Sequence, residues 1–151
     1  MSDAQEKLEA AIKGAREREN SAERVAEAKR IETREREIAA QRQLNAWSTL
    51  ANSVIKASVQ QVSRDAILKK SPLCITEAAE TPFSVRFRVH SPSNPGGVYA
   101  EITFSLTLDH VAVHNGATPL TAPIPREQVN PEWVKGIATA VLTTALGSYR
   151  P

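Results

Sequence analysis

The feature that most constrains this chain is where its helix breakers fall. The first seventy residues contain one glycine, Gly14, and no proline, and all nine prolines and the other five glycines come afterwards. Proline removes a backbone donor and clashes with the preceding helical turn, while glycine raises the entropy lost on ordering, so the first segment is free to run as one helix. The remainder must turn often. Lys69 and Lys70 precede the boundary at Ser71-Pro72, where cations favour the negative end of a helix and proline stops it. A helix over residues ~4–69 would be on the order of 100 Å long.

Within residues 1–70 the character changes once. Residues 1–42 carry ten acidic and ten basic side chains beside five large aliphatics after Met1: Leu8, Ile12, Val25, Ile31 and Ile38. Glu9 with Lys13 and Glu32 with Arg36 are spaced to support a helix by roughly 0.2–0.5 kcal/mol each. Counting from Leu8, the a and d positions fall on Ala11, Ala15, Arg18, Ala22 and Val25, and the phase then slips to Ile31 and Ile38. Such an alanine-rich, slipping seam predicts a charged spacer with loose coiled-coil character. In residues 43–70, by contrast, Gln43 to Ser63 holds one charge, Lys56. Here Leu44, Trp47, Leu50, Ala51, Val54, Ile55, Val59 and Val62 recur at steps of one, three and four. The stripe is wide, and the remaining chain is expected to leave part of it uncovered. Leu44, Trp47, Leu50, Ala51, Val54, Ile55 and Val62 are therefore expected to form the surface of a homodimer or homotrimer.

Residues 71–151 read as a small α+β head. Phe83 to His90 places apolar residues at every second position, with Ser84, Arg86, Arg88 and His90 on the opposite face, as a half-buried strand requires. Ile102 to Leu108 does the same, and Ser91–Gly97 reads as the connecting loop. Keeping both apolar faces together favours the antiparallel register that sets Arg88 opposite Glu101 and Arg86 opposite Thr103. After Leu108 the parity switches to Val111 and Val113, implying a bulge or tight turn at Asp109-His110. Asn115-Gly116 is the best turn signal and should lead to a short strand at 117–121. Residues 122–126 read as an extended connection. Asn130-Pro131-Glu132 combines a cap, a first-turn proline and an acid, opening an amphipathic helix that ends near Gly147. The fold class expected is thus α+β: a long N-terminal helix, then a three- or four-stranded antiparallel meander covered by a C-terminal helix.

Several chemistries find no footing. The formal charge is +2, and each basic residue of the helical half has an acid near it, which disfavours nucleic acid. No stretch approaches the ~18 apolar residues of a membrane span, and the start lacks a signal-peptide pattern, so a cytoplasmic protein or a component of an assembled particle is expected. The lone Cys74 excludes an intrachain disulfide and lies in an apolar setting without an adjacent base. His110 and His114 on one strand would stand roughly 13 Å apart, too far to share a metal ion. No phosphate-cradling glycine loop or nucleophile elbow occurs. No catalytic residue, metal or cofactor is therefore expected.

The pattern points to a non-enzymatic assembly or adaptor protein that self-associates and displays its head to another protein, as in a virion, tail or appendage. The alternative is a regulatory module whose polar sheet face, through Arg86, Arg88 and His90, takes an anion, a small molecule or an acidic partner, since guanidinium forks suit carboxylate and phosphate.

Overall fold

The computed structural model describes residues 2–151. Helix α1 spans Asp3–Leu50, passes into a six-residue π-helical segment, Ala51–Lys56, and continues as α2, Ala57–Leu68. The chain divides into two compact units, one reaching Gln43 and the other Leu44–Pro151.

The first unit is helix from Asp3 onward. Leu8, Ile12, Val25, Ile31 and Ile38 are all exposed, between 44% and 60%. Ion pairs run along its surface from Glu27 to Arg30 and from Glu32 to Arg36, at the spacings where helical side chains meet.

The second unit contains the whole hydrophobic core. Its first element departs from the regular α-helix expected, for a reason the sequence spacing supplies. Trp47, Ala51, Ile55 and Val59 are all buried, and they follow one another in steps of four. In an α-helix each such step overshoots a full turn by about 40°, so Val59 would lie about 120° round from Trp47. The wider turn of the π segment absorbs the surplus and returns the four side chains to one face. The helix then ends where Ser71-Pro72 predicts. Lys70 adopts a left-handed φ of 64°. The Ser71 and Lys70 N–H groups donate to the Ala66 and Ile67 carbonyls at 2.9 Å each, which satisfies carbonyls that the helix leaves open.

Strands β1 (Cys74–Thr81), β2 (Ser84–Ser91), β3 (Asn94–Thr107), β4 (His110–Asn115), β5 (Thr118–Pro119) and β6 (Ile124–Pro125) form one antiparallel sheet ordered β1-β2-β3-β4-β5. The short β5 and β6 share the outer edge of β4. Arg88 pairs with Glu101 and Arg86 with Thr103, the register that the two alternating strands imply. The parity switch after Leu108 is a two-residue turn, with Thr107 paired to His110 and Leu108 held at φ 55°. Three features differ from the reading above. β1 was not expected, because Thr76 to Thr81 lacks apolar alternation; its only buried residues are Cys74 and Ile75. The Ser91–Gly97 loop is mostly strand, with the turn confined to Pro92-Ser93. The connection 122–126 supplies β6.

Helix α3, Pro131–Ser148, opens on Asn130, whose Oδ1 accepts from the Trp133 N–H at 2.9 Å. It lies beside α2 on one face of the sheet. Val134, Ala138, Val141, Leu142 and Ala145 meet Val85, Phe87, Val89, Ile102, Phe104, Val111 and Val113 there. Phe104 is at the centre, edge-on to Phe87 at 6.1 Å and to Trp133 at 6.2 Å, geometries that aromatic quadrupoles favour.

Candidate functional site

The apolar stripe expected to form an intermolecular surface is largely consumed within its own unit. Trp47 is 2% exposed, and Ala51 and Ile55 are fully buried in the core. These three are not available as interface residues. They share one core with the apolar face of the meander and with α3. Leu50, Val54 and Val62 pack against the edge of that core and stay half-buried, and Leu44 is likewise half-buried. Ala46, Leu50, Val54 and Val129 floor an open groove of ≈ 540 Å³ rimmed by Asn45, Thr49, Ser53 and Arg126.

The opposite face of the sheet carries the polar residues. Cross-strand pairing arranges them in three rows. Thr76, Arg88 and Glu101 form one; Ala79, Arg86, Thr103 and His114 the next; Thr81, Ser84, Ser105 and Ala112 the third. All members of the β2 and β3 strands in these rows are half-buried. Arg88 is committed, with its Nε 3.4 Å from the Glu101 carboxylate. Arg86 has no ion-pair partner among the described residues, and the Nε of each arginine is buried without a hydrogen bond.

His90 does not join the two arginines as an accessible group. It is 6% exposed, and both ring nitrogens are occupied. Nδ1 donates to the Ser91 carbonyl at 2.8 Å, and Nε2 shares a hydrogen bond of 2.8 Å with the Thr76 hydroxyl. A break in register, in which Val89 pairs with Ala100 but His90 with Val98, leaves Tyr99 as the extra residue. Tyr99 stacks against Tyr149 at 5.8 Å, and its hydroxyl donates to the Arg150 carbonyl. The histidine that shares a register row with Arg86, across Thr103, is His114, which becomes visible only once the β3–β4 register is known. Strand parity alone did not reveal it.

Cys74 Sγ lies 3.9 Å from both nitrogens of His90. The thiol donates to the His90 carbonyl at 3.5 Å, and burial pushes it above its ordinary pKa. Both features favour the protonated thiol over the reactive thiolate. Among the described residues no group of three histidine, cysteine or acidic side chains is placed to hold a metal ion. No helix among them is long and apolar enough to cross a membrane.

On the face of the sheet shared with the helices, Lys56 of the π segment reaches Glu80 at 2.8 Å and Glu77 at 3.3 Å on β1. The Glu80 hydrogen bond and the two carboxylate charges hold its ammonium above the ordinary lysine range, against the opposing effect of burial. This cluster fastens the edge strand to the helix. No protein-family model, curated protein or solved structure matches this chain.

Proposed function

We propose that the chain is a non-enzymatic assembly or adaptor component that self-associates through helix residues 3–43, as a homodimer or homotrimer, and offers the α+β unit to a protein partner. The observation carrying this reading is the exposure of Leu8, Ile12, Val25, Ile31 and Ile38 on a helix that is itself a separate unit. Long helices in proteins draw most of their stability from an apolar face packed against something else, and a second copy offers a matching face. Trp47, Ala51 and Ile55 belong to the core, and the exposed aliphatics lie N-terminal to them. Light scattering on the full chain at micromolar concentration should give two or three times the chain mass, and Ile31→Lys combined with Ile38→Lys should return it to one. A monomeric wild-type chain would overturn self-association and leave the Glu–Arg-paired helix as a spacer.

A further inference from the structure

We infer that the outer sheet face holds a subsite for a single oxyanion, a phosphate or carboxylate group, built by Arg86, Thr103 and His114. The first argument is that the two arginines of this face are not equivalent. Arg88 faces Glu101 at 3.4 Å, so an incoming anion would have to displace a carboxylate already there. Arg86 faces Ala79 on one side and Thr103 on the other, neither of which carries charge. A half-buried guanidinium without a counter-charge gains more from an anion than a solvated one does, because the lowered dielectric strengthens the attraction while part of its hydration is already lost.

The second argument is geometric. Arg86, Thr103 and His114 occupy one register row across β2, β3 and β4, and directly opposed residues on one face stand about 4.5–5.5 Å apart at Cβ. Thr103 thus stands between Arg86 and His114, which are about 10 Å apart at Cβ, a gap that the long guanidinium arm can cross to meet the hydroxyl and imidazole around one anion, and all three groups can donate. The neighbouring row, Ser84, Ser105 and Ala112, bears only small side chains. It forms a low strip beside the donors, through which the rest of a ligand can pass. Rigid strands hold the three groups, so little ordering entropy is lost on binding.

The shared chemistry is the oxyanion, and its source is either a free phosphate or an acidic side chain of a partner peptide. The test is a titration of the ¹⁵N-labelled full chain, with inorganic phosphate in one arm and hexaglutamate in the other, following the arginine Nε–Hε resonances. The Arg86 cross-peak should move saturably in at least one arm while that of Arg64, exposed on α2, does not. Arg86→Gln should weaken binding roughly ten-fold or more, as loss of a charge-assisted contact implies, and Arg64→Gln should leave it unchanged. Saturation by phosphate alone assigns a free anion, and by hexaglutamate alone a carboxylate of a partner. Equal, unsaturable movement of all arginines, or no movement at Arg86 in either arm, would overturn the subsite, and because these readouts come from wild-type protein they stand even if Arg86→Gln fails to fold.

Discussion

Lys56 shows how one side chain decides the fate of an edge strand. It is 15% exposed at its side chain and is drawn toward Glu77 and Glu80, which β1 turns to the helix side of the sheet by pairing them with Phe87 and Val85. Since its pKa is raised above 10.5 in the fold, the stability it contributes is fully present below that value and is lost as pH rises through the higher folded one. Chemical denaturation should show wild type losing stability over this alkaline range by about 1 kcal/mol more than Lys56→Met, with the variant less stable by a similar amount at neutral pH. Equal alkaline slopes would refute the linkage. Ser63 acts on the same strand, its hydroxyl accepting the Ile75 N–H at 3.0 Å and so satisfying a buried donor that faces away from β2. Neither role is legible in sequence, because each depends on a strand that carries too few apolar residues to announce itself.

Among the elements, the π segment links sequence spacing to packing most directly. Four buried residues at intervals of four need one residue too many for an α-helix, and Ala51–Lys56 accommodates it. Deleting the exposed Ser53 would convert the spacing of Trp47, Ala51, Ile55 and Val59 to four, three and four, which a regular α-helix keeps on one face. The deletion variant should still fold cooperatively, with Trp47 fluorescence remaining that of a buried indole. Loss of the cooperative melt would show that the segment is needed for more than phase. In the sheet, alternation excludes any odd slip of the β2–β3 register, since a slip of one residue would turn every apolar side chain outward, and the Arg88–Glu101 ion pair favours the one observed. The β1 strand is shaped differently: its register shifts between Glu77 and Ala79. Bulges and charged residues of this kind blunt an edge that would otherwise pair with another chain.

At the scale of the whole molecule, every residue of the hydrophobic core lies at or beyond Trp47, so residues 44–151 contain all the apolar burial that drives cooperative folding. A fragment of residues 44–151 should therefore fold with a melting temperature within a few degrees of the α+β unit in the full chain, as read by near-UV circular dichroism. A fragment that is disordered would show that helix residues 3–43 contribute to the core after all. The long helix, its stop at Ser71-Pro72, the Asn130 cap and the alternating strands β2 and β3 were set by local rules, because breakers, caps and alternation act over a few residues. Which face of the helix is core, that His90 is buried against Thr76 while His114 shares a register row with Arg86, and that β1 and β6 are strands were decided only by the tertiary structure. Burial and cross-strand neighbours depend on segments far apart in the chain, and a periodic apolar stripe looks the same whether its own sheet or another molecule covers it.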